Sequence, residues 1–136
     1  MTKVSKIVET CVYGRDLAAM KRFYSGVIGL EPVQEEEGKF VFFKAGKSML
    51  LVFNPERTFP DNNRLPPHGS TGPSHFAMEM QDAGDHTYWK ERLRANNVEI
   101  ETEVGWKEKS KSLYFRDPAG NLVELITPGE WPVDDD

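Results

Sequence analysis

Three ionisable residues stand inside runs that otherwise read as apolar strands: Glu9 in Val8-Glu9-Thr10-Cys11-Val12, His75 in His75-Phe76-Ala77-Met78, and Glu124 in Leu122-Val123-Glu124-Leu125-Ile126. Such a group costs free energy in apolar surroundings unless it is paired or holds a metal. A carboxylate, imidazole and carboxylate together make a competent donor set for a divalent cation, and three protein ligands leave positions open for water and substrate. Taken singly, each has an ordinary alternative, a hydrogen-bonded core histidine or a solvent-facing strand glutamate. Their matching places in a repeat give the metal reading its weight.

That repeat emerges from the elements that must carry them. Residues 7–13 mix β-branched and aromatic side chains as a strand does, and Asp16 is placed as an N-cap before Leu17, Met20, Phe23 and Tyr24 on one helix face. Gly29 follows as C-cap, then extended runs at 31–35, 40–45 and 48–53, with turns at Gly38-Lys39 and Gly46-Lys47. After a stretch rich in proline and glycine, a strand at 75–80, a helix at 85–95 and strands at 98–104, 112–116 and 122–127 repeat the order. Glu9 precedes Asp16 by seven positions, as His75 precedes Asp82. The expected fold class is α+β with two βαβββ modules in one domain: module one at 4–54, a linker at 55–73, module two at 74–128 and a tail at 129–136. The linker's prolines should interrupt any regular element, and loops beyond about 12–15 residues tend to be lids or binding loops. The competing reading is an ordinary α+β domain whose halves look alike by chance.

Strand alternation sorts residues by face. Phe76, Met78 and Met80 share the side suited to a helix carrying Trp89 and Leu93, leaving His75, Ala77 and Glu79 on the other. Val123 and Leu125 oppose Leu122, Glu124 and Ile126, and Val8 and Val12 oppose Glu9, Cys11 and Tyr13. All three candidate ligands therefore project from faces turned away from the helices.

With 136 residues and 38% apolar content the chain can bury a real core. Its net charge of −5, with basic residues interleaved among acidic ones, argues against nucleic acid as a partner. The lone cysteine, Cys11, excludes an internal disulfide and fits a reducing compartment. The start is too short for a signal h-region and no run approaches the roughly 20 apolar residues of a membrane span, so a soluble cytoplasmic protein with no membrane partner is expected.

At this level the chain resembles the vicinal oxygen chelate superfamily, which includes lactoylglutathione lyase, fosfomycin-resistance enzymes, extradiol dioxygenases and bleomycin-binding proteins. The resemblance runs from Val4 to about Pro128. It is carried by Glu9-Thr10-Cys11-Val12-Tyr13, Asp16-Leu17, Phe23-Tyr24, Ile28-Gly29-Leu30 and Gly72-Pro73-Ser74-His75, and above all by the run from Phe115-Arg116-Asp117-Pro118-Ala119-Gly120-Asn121 to Leu122-Val123-Glu124-Leu125. It implies curved mixed sheets around a metal-binding cavity, metal ligation by Glu9, His75 and Glu124, and a small-molecule substrate. It also implies a homodimer, in which modules are sometimes exchanged.

Two departures shape that expectation. The first-strand position, often histidine, is Glu9, and the fourth-strand position that supplies a carboxylate in lactoylglutathione lyase is Leu51. A three-ligand site with one imidazole favours Mn²⁺ or Mg²⁺, with Zn²⁺, Ni²⁺ or Fe²⁺ as other choices. The leading expectation is a metal-dependent glyoxalase-like lyase, isomerase or transferase in which Glu9 or Glu124 serves as general base. A ring-cleaving extradiol dioxygenase and a metal-free drug-binding protein of the bleomycin-resistance type are the alternatives.

Secondary candidates are His68, an acid or base from the linker or else a surface histidine, and Tyr13, Trp106 and Tyr114, aromatic cavity walls or ordinary packing. Lys107, Lys109, Lys111 and Arg116 either hold an anionic group or form a solvated hairpin. His86 is expected to be exposed and Asp134-Asp135-Asp136 disordered.

Overall fold

In the computed structural model, which describes residues 2–60 and 65–133, the chain divides into two compact units, Met1–Pro73 and Ser74–Asp136. The acidic tail at 134–136 lies outside the described residues. Each unit is a βαβββ module. The first contains β1 (Glu9–Tyr13), α1 (Leu17–Lys21) continuing into a π-helical stretch (Arg22–Val27), β2 (Glu31–Glu36), β3 (Phe40–Ala45), β4 (Ser48–Phe53) and a short α2 (Pro55–Thr58). The second contains β5 (His75–Glu79), α3 (Asp85–Ala95), β6 (Thr102–Gly105), β7 (Lys111–Arg116) and β8 (Leu122–Ile126). Both sheets are mixed and have the same order, β1-β4-β3-β2 and β5-β8-β7-β6, with the first strand parallel to the last of its unit.

Alternation delivers the core as expected. In the first unit Val12, Val41, Phe43, Leu50 and Val52 are buried with Leu17, Met20, Phe23 and Tyr24. Asp16 caps α1, its Oδ1 accepting from the Ala19 N–H at 3.0 Å. The helix then widens, with the Ile28 N–H reaching the Phe23 carbonyl at 3.1 Å, while the Ser25 hydroxyl takes the Lys21 carbonyl at 2.6 Å. In the second unit Leu113, Phe115, Val123 and Leu125 are buried with Met80 and Leu93. Among the described residues, no helix is long and apolar enough to cross a membrane.

Leu93 is the one buried side chain of α3 and is completely enclosed. Leu93→Ala leaves a cavity between helix and sheet and should cost about 3 kcal/mol. A shift in the urea midpoint worth less than about 1 kcal/mol would show that the helix is not held through this residue.

Several boundaries differ from the sequence pattern. Pairing begins at Glu9 rather than residue 7, and Val8 is more than half exposed. β6 starts at Thr102, because the Val98 N–H closes the end of α3 on the Leu93 carbonyl and only the Glu101 N–H to Tyr114 carbonyl bond precedes the ladder. The linker is not wholly irregular: Asn54 Oδ1 accepts from the Glu56 N–H at 3.0 Å and Pro55 starts α2, where its missing N–H costs nothing.

Candidate metal centre

His75 and Glu124 come together on the helix-free face of the second sheet. His75 faces Leu122 across the β5–β8 ladder, and two residues on, Ala77 faces Glu124. Two steps along a strand return a side chain to the same face, so the imidazole and the carboxylate share one side. Their closest atoms, His75 Nε2 and Glu124 Oε1, are 3.2 Å apart, with the histidine half exposed and the glutamate buried.

The ring's other nitrogen decides what this contact means. His75 Nδ1 lies 2.9 Å from the Leu122 carbonyl oxygen. A carbonyl only accepts, so Nδ1 carries a proton, and in the neutral ring Nε2 presents its lone pair to the carboxylate. Two acceptors at that distance repel unless they share a cation, either a proton or a metal ion.

The carboxylate is held from its other side. Ser112 is fully buried, and its hydroxyl lies 2.5 Å from Glu124 Oε2 and 2.8 Å from the indole Nε1 of Trp106. Tyr114 faces Glu124 across the β7–β8 ladder, and its ring lies near-parallel to that of His75 at 6.0 Å. Burial first, then the charge of Glu124 and a hydrogen bond to it, push the Tyr114 phenol above its ordinary range, against a smaller opposite pull from Ser112.

The turn between β7 and β8 sets both candidate ligands at once. Pro118 and Ala119 occupy its centre, and Gly120 supplies a φ of +87°. The buried Asp117 carboxylate accepts from the Ala119 and Asn121 N–H groups at 2.9 and 3.0 Å and from the Asn121 amide at 2.9 Å. Asn121 Oδ1 in turn accepts from the Ser74 N–H and hydroxyl, both at 3.1 Å. Ser74 precedes His75 in the chain and Asn121 leads into β8.

Glu9 sits on the helix-free face of the first sheet and is exposed. The Cys11 thiol approaches its Oε2 at 4.0 Å, and partial burial followed by the charge of Glu9 pushes that thiol up. The register reproduces the second sheet's pattern. Glu9 faces Met49 and Cys11 faces Leu51, so Leu51 holds in the first sheet the place Glu124 holds in the second, with Phe42 opposite it as Tyr114 is opposite Glu124.

Beyond these residues that face carries an aromatic cluster. Phe40 stacks on Phe42 at 4.1 Å, Phe42 meets Phe53 edge-on at 5.3 Å, and Tyr13 stacks on Phe53 at 6.1 Å. His68 is a surface histidine, as expected of the linker, and also borders this cluster, with Nδ1 at 2.6 Å from the Tyr13 hydroxyl and its ring 4.8 Å from that of Phe53. Among the described residues, no three His, Cys, Asp or Glu side chains gather as a metal-binding group, and His75 with Glu124 is the candidate pair the structure brings together.

The remaining candidates divide. Arg116 is engaged by Glu101 through two bonds at 3.2 and 3.1 Å, so it serves that ion pair rather than an anion site. His86 is half-buried with Nε2 at 3.6 Å from Glu103, and burial lowers its pKa despite that neighbour. Ser112 was not singled out by residue type. Its signal is alternation, a serine two positions before Tyr114 on the strand beside Glu124.

Comparison with known proteins agrees with this fold. The profile of the Glyoxalase/Bleomycin resistance protein/Dioxygenase superfamily matches residues 6–125. A solved structure of lactoylglutathione lyase from Agrobacterium tumefaciens is 40% identical, covering 97% of this chain and 100% of that one, with a TM-score of 0.91. A putative glyoxalase family protein from Bacillus anthracis, at 17% identity over 93% of this chain and 98% of its own, has a TM-score of 0.72 and shares the fold. A glyoxalase/bleomycin resistance protein/dioxygenase from Nocardioides does the same at 20% identity, 98% and 91% coverage and a TM-score of 0.74. The chain belongs to the Glyoxalase/Bleomycin resistance protein/Dioxygenase superfamily.

Proposed function

We propose that this protein is a metal-dependent lyase or isomerase of the glyoxalase type, acting on a small substrate with neighbouring oxygens, and that His75 and Glu124 are metal ligands. The carrying observation is the approach of His75 Nε2 to Glu124 Oε1 at 3.2 Å while Nδ1 is engaged by the Leu122 carbonyl at 2.9 Å. One nitrogen and one carboxylate oxygen suit a divalent ion, and Glu9 is proposed as a third donor on its chemistry and register position. A second carboxylate shifts the preference toward Mn²⁺ or Mg²⁺ and away from the oxygen-activating iron site of a dioxygenase. Likeness to a lactoylglutathione lyase at 40% identity supports the lyase branch.

When bound, a divalent ion supplies Lewis-acid polarisation of the substrate oxygens. The chain's own carboxylates divide the remaining work. Glu124, buried and gripped by Ser112, keeps its place as a fixed ligand. Glu9 is exposed and, among the described residues, approached by the weak thiol donor of Cys11, so it is the carboxylate free to move and take a proton from substrate. The aromatic face of the first sheet favours a second reading, a metal-free small-molecule binder. Metal analysis separates the two: about one equivalent per chain after addition of Mn²⁺, Zn²⁺ or Ni²⁺ is expected, and less than about a tenth favours the binder.

A cytoplasmic homodimer completes the proposal. The single free cysteine fits a reducing compartment, and each sheet is open with two edge strands. Light scattering should give twice the chain mass. If each site draws Glu9 and His75 from different chains, mixing Glu9→Gln with His75→Ala variants restores metal binding. No recovery rejects the shared site, and a chain-mass particle rejects the dimer.

A further inference from the structure

The helix-free face of the second sheet carries a directed chain of hydrogen bonds that ends on the proposed metal ligand. An indole N–H only donates, so the 2.8 Å contact makes the Ser112 oxygen an acceptor toward Trp106. The serine's own hydrogen must then point elsewhere, and of its two remaining neighbours, the Tyr114 phenol and Glu124, the carboxylate is the stronger acceptor, with Oε2 2.5 Å away. Ser112 is completely buried, so no water competes for that hydrogen. Oε2 is thereby occupied, while Oε1 faces the Nε2 of His75. The three residues meet because Glu124 lies on β8, Ser112 on the adjoining β7, and Trp106 beside the hairpin whose Trp106 N–H takes the Ser110 carbonyl at 2.9 Å.

We propose that Trp106 and Ser112 are positioning residues: Trp106 makes Ser112 a one-way donor, and Ser112 holds Glu124 so that Oε1 alone is offered to the metal. This rests on the metal reading above. The consequence is a one-oxygen carboxylate ligand, which keeps one more coordination position for water or substrate than a two-oxygen ligand leaves. Groups that orient a metal ligand in this way commonly contribute about 10- to 100-fold to affinity.

Mn²⁺ alone is the probe, read by its dissociation constant and by water-proton relaxation, which reports the waters left on the ion. Ser112→Ala should weaken Mn²⁺ about 10- to 100-fold and lower the relaxation enhancement, because the released carboxylate binds through both oxygens and displaces a water. Ser112→Thr, which keeps the hydroxyl, should restore both. Trp106→Phe should weaken binding less, and the double variant Trp106→Phe with Ser112→Ala should be no worse than Ser112→Ala, since the indole acts only through the serine. Additive losses would show two independent structural effects and overturn the relay. Folded Ser112→Ala with unchanged affinity and relaxation would overturn it as well. If His75→Ala binds Mn²⁺ like the wild type, the metal reading falls and this inference with it; if His75→Ala loses binding while Ser112→Ala keeps it, only this inference falls.

Discussion

Glu124→Gln is expected to lower metal affinity at least 100-fold, equivalent to about 2.7 kcal/mol, while leaving thermal stability unchanged or raised. The amide oxygen can still accept from the Ser112 hydroxyl, replacing the Oε2 contact at 2.5 Å. The amide nitrogen then falls opposite His75 Nε2, where Glu124 Oε1 now stands at 3.2 Å, and donates to the lone pair there. Two facing acceptors become a donor and an acceptor, so the substitution closes the gap that a cation would otherwise fill. A structural ion pair with protonated His75 predicts the reverse, a stability loss of up to about 1 kcal/mol and no effect on metal. His75→Ala should share the affinity loss without the stabilisation, because it brings no new donor to Glu124. Calorimetric metal titration and thermal melts of both variants read the two outcomes separately. Wild-type affinity in folded Glu124→Gln removes Glu124 from the ligand set.

The pairing of strand alternation with a repeated element order made the sheets and their buried faces legible. Phe76 and Met78 on β5, and Val123 and Leu125 on β8, follow a period of two. That same alternation placed His75 and Glu124 on one side. What it missed depends on partners distant in sequence. Val98 and Ile100 have strand-forming side chains, but the chain there is still closing α3, so propensity met no ladder to join. Asp82 resembles the cap residue Asp16 by spacing, yet α3 begins at Asp85 after Gly84, and the Asp82 N–H is itself taken by Asp85 Oδ2 at 3.1 Å.

The direction of the Trp106 to Ser112 bond could not be read from residue types, since it exists only after the hairpin brings a donor-only ring onto a buried hydroxyl. The likeness of the two sheets has a limit as well. At the place of Glu124 the first sheet has Leu51, and where Tyr114 faces that carboxylate it has Phe42. At these two positions a polar pair in one sheet is matched by an apolar pair in the other.

The largest expected loss of stability in the second unit comes from Asp117→Ala, through a residue that touches neither proposed ligand. Its buried carboxylate receives three hydrogen bonds, at 2.9, 3.0 and 2.9 Å, from Ala119, the Asn121 backbone and the Asn121 side chain. Hydrogen bonds to a charged acceptor contribute about 1.5–3 kcal/mol each but are not additive, so a net cost of about 3–4 kcal/mol is reasonable. The removal also takes the acceptor from the buried Asn121 N–H and the part-buried Ala119 N–H, and frees the Asn121 amide. Asn121 Oδ1 is what grips Ser74, so the start of β5 loosens with the turn. His75 follows Ser74 directly and Glu124 follows Asn121 by three residues, so both donors lose their fixed spacing. Metal affinity should therefore fall as well, even at temperatures where the variant is folded. Asn121→Ala should reproduce the loss of affinity at a smaller cost in stability, because the two backbone bonds to Asp117 survive. Urea unfolding and metal titration of both variants give the comparison. Asp117→Ala within about 0.5 kcal/mol of wild type, or with undiminished metal affinity, would show that the turn does not hold the two strands in register for the site.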